Sequence, residues 1–74
     1  MRIELSDGEM LELSDHEARA LYETLLERVR QRGATSAAGK LRPALAWSSG
    51  GTKVALDRFE TEAVQAARVD KSSG

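Results

Sequence analysis

Few residues in this chain are of a type that could do chemistry. It contains no cysteine and a single histidine, His16. A histidine that acts as a general base needs a nucleophile or a substrate within hydrogen-bond reach, and no motif here supplies one. We interpret His16 as an exposed residue at the start of a helix. Without thiolates the chain also lacks the usual ligands of a structural zinc site, so we expect no catalytic residue, no metal and no cofactor.

Two further patterns fall short of known binding motifs. Gly50 and Gly51 lack the spaced glycines and the Lys-Ser/Thr pair of a phosphate-binding loop. The acidic residues at positions 4, 9, 12, 15 and 17 do not alternate around a central glycine, as the ligands of a calcium loop do. They are typical of exposed strand positions and helix caps. The sequence therefore predicts a protein that is not an enzyme.

Charge is distributed unevenly along the chain. Residues 1–27 carry two basic and eight acidic side chains, whereas residues 28–53 carry six basic side chains and no acidic one. A small domain with an acidic and a basic portion has a strong dipole. The basic segment consists of Arg28, Arg30, Arg32, Lys40, Arg42 and Lys53.

Three explanations of this segment stay open. Matching of the helix dipole accounts for acids at the start of the first helix and arginines at its end, but not for Lys40, Arg42 and Lys53. A protein interface would bring the basic edge against an acidic partner or against a second copy of the chain. A nucleic-acid-binding regulator would use residues 28–53 in a winged helix-turn-helix arrangement, with Lys40 and Arg42 reaching phosphates or base edges.

Protein contact is the functional explanation that the sequence favours. The whole chain has a net charge of −1, and the acids near the N-terminus would repel a phosphate backbone. Trp47 is either a core residue or an interface anchor, since tryptophan is enriched among residues that dominate binding energy. We expect Trp47 and Leu45, flanked by Arg42, Lys53 and Lys40, to bind a protein partner or a second copy, with nucleic acid as the alternative partner.

Length and composition limit the class of protein further. A chain of 74 residues makes one domain at most. With 41% hydrophobic and 31% charged residues, its composition is typical of a folded soluble domain. It has no apolar run long enough to span a membrane, and its N-terminus does not resemble a signal peptide. We expect a cytoplasmic protein, and the excess of arginine over lysine suggests a bacterial one.

The N-terminal segment predicts a β-hairpin with a three-residue loop. Ile3 and Leu5 alternate with polar residues, as Leu11 and Leu13 do after the turn. A two-residue loop would put the two pairs on opposite faces, whereas a loop of residues 6–8 puts them on one face that can be buried. This requires Gly8 in the left-handed conformation.

Two helices are predicted to follow the hairpin. The first runs from about residue 15 to 32, opens with a capping box between Ser14 and Glu17, and stops at Gly33. Its apolar stripe consists of Ala18, Leu21, Tyr22, Leu25, Leu26 and Val29. A shorter second helix begins at Thr35 or Ser36 and is kinked or ended near Pro43.

The last segment predicts a strand over residues 52–56 and a helix over residues 58–69. Asp57 and Glu60 repeat the spacing of a capping box, and the apolar stripe consists of Phe59, Ala63, Val64 and Ala67. The fold class is therefore α+β, with the order β-β-α-α-β-α and a three-stranded sheet with helices packed on one face. We expect a single domain over residues 1–69 and a flexible C-terminal tail over residues 70–74.

Overall fold

The computed structural model describes residues 1–28, 30–46 and 52–72. Residues 70–72 are described by their backbone alone. Within these ranges the chain forms three helices and a three-stranded sheet, in the predicted order β-β-α-α-β-α. The elements are β1 (Arg2–Glu4), β2 (Met10–Glu12), α1 (Asp15–Glu27), α2 (Arg32–Ala46), β3 (Lys53–Ala55) and α3 (Arg58–Ser72). The predicted α+β class is confirmed.

The first strand lies in the centre of the sheet. In the order β2-β1-β3, β1 is antiparallel to β2 and parallel to β3. Ile3 pairs with Leu11 on one side and with Val54 on the other. Ile3 and Val54 are buried under the helices, whereas Arg2 and Lys53 point to the outer face, because successive side chains of a strand alternate between faces.

The hairpin has the predicted loop and register. The N–H of Gly8 donates to the carbonyl of Leu5 at 3.1 Å, and the N–H of Leu5 donates to the carbonyl of Glu9 at 2.8 Å. Gly8 has a φ of 92°, in the region that favours glycine. The pairing of Ile3 with Leu11 therefore confirms that the shared apolar face determines the register.

Both predicted capping boxes are present. The N–H of Glu17 donates to Ser14 Oγ at 3.2 Å, and the N–H of Ser14 donates to Glu17 Oε1 at 3.1 Å. At the start of α3, the N–H of Glu60 donates to Asp57 Oδ1 and the N–H of Asp57 donates to Glu60 Oε1, both at 2.8 Å. These bonds satisfy backbone donors that a helix start leaves without partners.

The prediction that α1 continues to Arg32 and stops at Gly33 is wrong. The helix ends at Glu27, and the N–H of Arg28 closes it on the carbonyl of Leu25. Gly33 lies instead in the first turn of α2, against the backbone of Phe59. A β-carbon at position 33 would lie 2.6 Å from the carbonyl carbon of Phe59 and overlap its oxygen. Glycine at position 33 therefore allows α2 and α3 to approach closely, and it does not end a helix.

The second helix is longer than predicted. It begins at Arg32 rather than near Thr35 and continues past Pro43 to Ala46. Since proline has no N–H, position 43 donates no hydrogen bond to the carbonyl of Gly39, one turn earlier. Gly39 itself is exposed. Packing of α2 against both α1 and α3 holds it helical despite the proline.

The core is rich in small side chains, and two large apolar residues predicted for it lie outside. Ile3, Leu25, Leu41 and Val64 are fully buried, and the helices contribute mainly alanines around them. Phe59, however, is 66% exposed and Leu26 is 45% exposed. The predicted stripe is wrong at Phe59 because the capping box turns the next residue, Glu60, inward. Tyr22 is half-buried at the edge of the core, and Val29 falls outside the described residues.

The C-terminal helix extends beyond the predicted end at Val69, as far as Ser72. The third strand is one residue shorter at each end than predicted. Residues 73 and 74 lie outside the described ranges, and the flexibility of the segment 70–74 stays a prediction.

The close approach at Gly33 generates a test with a matched control. Gly33→Ala should lower the free energy of unfolding by about 1–3 kcal/mol, because the methyl group must displace the Phe59 backbone. Gly39→Ala, in the same helix, should raise it by up to about 1 kcal/mol, because its β-carbon meets no atom within 4 Å. Chemical denaturation measures both. Equal changes in the free energy of unfolding, in the same direction, would contradict the close packing at Gly33. A lower free energy of unfolding for Gly39→Ala would mean that the helix needs glycine at position 39, one turn before Pro43.

Candidate interaction site

The structure gives Lys40 a role inside the domain. Its Nζ donates to Glu60 Oε1 at 2.6 Å and to the carbonyl of Ala55 at 3.2 Å. Glu60 is 1% exposed, although it is a carboxylate. A buried charge needs a partner and hydrogen bonds, and Lys40 and the N–H of Asp57 supply them. Lys40 thus stabilises the junction between β3 and α3.

Lys53 is also paired within the domain. Its Nζ lies 2.7 Å from Glu4 Oε2 on the outer face of the sheet. Beside this pair, Arg2 Nε lies 3.1 Å from Glu12 Oε1. Opposite charges therefore neutralise one another across neighbouring strands, and the charge of Lys53 is balanced without a partner molecule.

The three arginines at positions 28, 30 and 32 lie where α1 passes into α2. Arg28 is half-buried at the C-cap of α1, and Arg30 and Arg32 are exposed. Arg32 opens α2, where the positive end of the helix dipole disfavours a cation. The dipole explanation is therefore wrong for Arg32, and no basic residue lies in the last turn of α1 within its described range.

Arg42 and Leu45 lie beside a groove between the first two helices, which we call the α1–α2 groove. One part has a volume of about 190 Å³ and is lined by Tyr22, Leu25, Leu26, Thr35, Ala38, Gly39 and Arg42. It continues into a shallower part of about 330 Å³, lined by Arg19, Tyr22, Glu23, Arg42, Leu45 and Ala46. Tyr22 and Arg42 are common to both parts, so they stand at the centre of the groove.

The lining of the α1–α2 groove combines an apolar floor with charged rims. Leu25 and Ala38 belong to the core and form the floor, and Leu26 leaves 45% of its surface exposed beside them. Arg19 and Glu23 stand on the α1 side and Arg42 on the α2 side. Such a groove offers an apolar contact together with donors for carboxylates.

The segment predicted to bind a partner, residues 41–53 with Lys40 beside it, does not form one surface. Leu41 and Ala44 face the core, Arg42 and Leu45 face the α1–α2 groove, and Lys40 and Lys53 are engaged elsewhere. Trp47, the proposed anchor, lies outside the described residues. Sequence reasoning missed the contribution of α1 to the groove, although the apolar stripe of that helix is wider than the core alone can bury.

The structure differs from the predicted winged helix-turn-helix at residues 45 and 46. In that arrangement Leu45–Trp47, the loop 48–51 and residues 52–56 would form the wing, but Leu45 and Ala46 belong to α2. Within the described ranges, β3 pairs with β1 at the centre of the sheet. β3 itself is an edge strand of this sheet.

Other kinds of site have little support in the described part of the chain. Over residues 1–28, 30–46 and 52–72, no group of three or more His, Cys, Asp or Glu side chains is placed to hold a metal ion. None of the helices in these ranges is long and apolar enough to cross a membrane. His16 is exposed in the first turn of α1 and does not line the α1–α2 groove.

Comparisons of this chain with protein-family models, with curated proteins and with solved structures find no match. The functional argument therefore rests on the geometry of the groove and on the charges around it.

The two paired lysines generate a test of their structural roles. Lys40→Met should lower the free energy of unfolding by about 1–3 kcal/mol, because the buried carboxylate of Glu60 loses its cation. Lys53→Met should cost less than about 1 kcal/mol, because its pair with Glu4 is exposed. Urea denaturation of both variants measures the difference. Equal decreases in the free energy of unfolding would contradict the conclusion that Lys40 stabilises the buried carboxylate of Glu60.

Proposed function

We propose that this protein is a non-catalytic interaction module that binds an acidic, apolar segment of another protein in the α1–α2 groove. The observation that carries the proposal is the groove itself, in which Leu26 and Tyr22 leave apolar surface uncovered between arginines on both rims. The bacterial, cytoplasmic setting expected from the sequence stays a prediction.

The apolar part of the groove supplies the affinity. Leu26 is half exposed and Tyr22 half buried, so both have surface left to cover. Burying one aliphatic side chain of a partner contributes about 1.5–3 kcal/mol. A partner with apolar residues on one helical face would fill the space between α1 and α2, as in other helix-in-groove complexes.

The charged rims supply the preference for acidic partners. Arg19 and Arg42 flank the groove, against a single carboxylate, Glu23, among its lining residues. Arginine binds carboxylates through two parallel hydrogen bonds, which fixes orientation as well as charge. A partner segment with carboxylates beside its apolar residues would satisfy both arginines.

Gly39 gives the groove a place for close backbone contact. Glycine costs a helix about 1 kcal/mol relative to alanine, and no described atom within 4 Å would obstruct a β-carbon there. Pro43, one turn later, has no N–H to donate to the carbonyl of Gly39. Both properties favour a partner that approaches the helix backbone closely.

Binding of nucleic acid by residues 28–53 is the alternative. Lys40 and Lys53 are held by Glu60 and Glu4, so part of the basic charge of this segment is already balanced. Arg30, Arg32 and Arg42 are exposed, but Glu23 and Glu27 lie on the neighbouring helix and would repel phosphates. We therefore favour the protein partner and treat DNA binding as an outcome of the test.

The proposal can be tested with a phage-displayed library of random peptides selected on the wild-type protein. We expect enrichment of sequences in which leucine or phenylalanine is flanked by aspartate or glutamate. In ¹⁵N NMR titrations, the selected peptide should shift the amides of Tyr22, Leu26, Gly39 and Arg42. Arg42→Glu should weaken its binding at least about tenfold, the equivalent of about 1.4 kcal/mol.

Arg30→Glu is the matched control, because Arg30 is an exposed arginine of the same segment that does not line the groove. It should change the affinity less than about twofold, since an exposed charge outside the contact adds little. Failure to enrich acidic, apolar sequences, or shifts confined to another surface, would refute the proposal. Affinity for nonspecific duplex DNA that falls steeply with salt would support the nucleic-acid alternative instead.

A further inference from the structure

The most exposed large apolar side chains among the described residues lie on the last helix. Phe59 and Val69 are each 66% exposed, against 45% for Leu26 and for Met10. Ala66, between them along α3, is half-buried. Neither the core nor the α1–α2 groove uses Phe59 or Val69, so these residues need a separate explanation.

These residues form one stripe along α3. At about 100° per residue, Phe59, Glu62, Ala66 and Val69 fall within about 80° of the helix circumference. The buried face of α3, with Val64 and Ala67, points to another side. The helix therefore has a second face, which combines apolar residues with one carboxylate. We call it the α3 stripe and define it by Phe59, Glu62, Ala66 and Val69.

Beside Phe59 the α3 stripe borders a groove of about 360 Å³, which we call the α3 groove. It is lined by Gln31, Arg32, Gly33, Phe59, Glu62, Ala63 and Ala66. Gly33, Ala63 and Ala66 give it a small-residue floor, and the ring of Phe59 stands at its side. Arg32 and Glu62, both exposed, place one positive and one negative charge around it.

This patch is complementary to itself. It contains a protruding aromatic ring, a groove with a floor of small residues, one cation and one anion. A two-fold dimer needs such self-complementarity, because the same patch meets itself and every contact occurs twice. A second copy therefore offers a carboxylate for Arg32, an arginine for Glu62 and a groove for Phe59.

We propose that a second copy of this chain docks on the α3 stripe and the α3 groove. Phe59 of each copy enters the groove of the other, and Arg32 of each copy faces Glu62 of the other. The dimer covers the exposed ring and supports a domain whose small size limits its own core. It uses none of the residues that line the α1–α2 groove, so it stands independently of the proposed function.

Sedimentation equilibrium over micromolar to millimolar protein concentrations tests for the dimer. The contact involves few residues on each copy, whereas a standard specific interface has roughly 20–30 residues a side, so we expect a weak, concentration-dependent dimer. Phe59→Ala should weaken it at least about tenfold, because an aromatic anchor is lost. The variant should remain folded by circular dichroism, since Phe59 is mostly exposed. Met10→Ala, a truncation of an exposed apolar residue on β2, is the matched control and should leave the dimer unchanged.

A charge-reversal experiment tests the pairing of Arg32 with Glu62 between two copies. Arg32→Glu alone, or Glu62→Arg alone, places like charges opposite each other twice in a homodimer and should weaken it. An equimolar mixture of the two variants places opposite charges together twice and should restore association to the wild-type level. A contact between Arg32 and Glu62 of the same chain cannot give this result, because mixing the two variants does not change which residues either chain contains.

Three results would overturn the proposal. These are a wild-type protein that stays monomeric at millimolar concentration, a Phe59→Ala variant that associates as the wild type does, and a mixture of charge-reversed variants that fails to associate. The peptide selection tests the α1–α2 groove, whose lining residues differ from those of the α3 groove. Failure of one proposal therefore does not affect the test of the other.

Discussion

The carboxylate of Glu60 is the constraint on which the arrangement of this domain depends. It is buried at the junction of β3 and α3, where it accepts from the N–H of Asp57 and from Lys40. A carboxylate in such a place must keep its partners. The rotation of α3 about its own axis is thereby fixed: the face with Val64 turns to the core, and Phe59, one residue before Glu60, turns outward. The same requirement holds the ammonium of Lys40 against this junction, although its side chain is 45% exposed.

A second constraint is the small size of the side chains between the helices. Gly33 lets α2 approach the backbone of α3, and among the described residues alanines occupy four of the five buried positions on α2 and two of the five on α3. Close helices exclude water well, but each alanine buries little apolar surface. Most of the bulk comes from a few residues of the sheet and helices, among them Ile3, Leu25 and Leu41. Large apolar residues such as Phe59 and Leu26 remain at the surface, where a partner can cover them.

The two proposed contact surfaces lie on either side of α2, which packs against both α1 and α3. The α1–α2 groove involves the middle and the end of α2, and the α3 groove involves its first residues. Their lining residues do not overlap, so a dimer formed at one surface would leave the other accessible. The outer face of the sheet differs from both, because its ion pairs, Arg2 with Glu12 and Lys53 with Glu4, balance their charges locally.

Local patterns in the sequence determined the element order, the hairpin register and both capping boxes. Each depends on residues close together in the chain, such as Gly8 or Ser14 with Glu17, so short-range chemistry is enough to predict it. Tertiary structure alone decided that Gly33 packs against Phe59, that Glu60 is buried with Lys40, and that Arg42 shares a groove with Tyr22. These outcomes depend on contacts between helices distant in sequence, and periodicity shows that a helix has an apolar face without showing how that helix is rotated or what covers it.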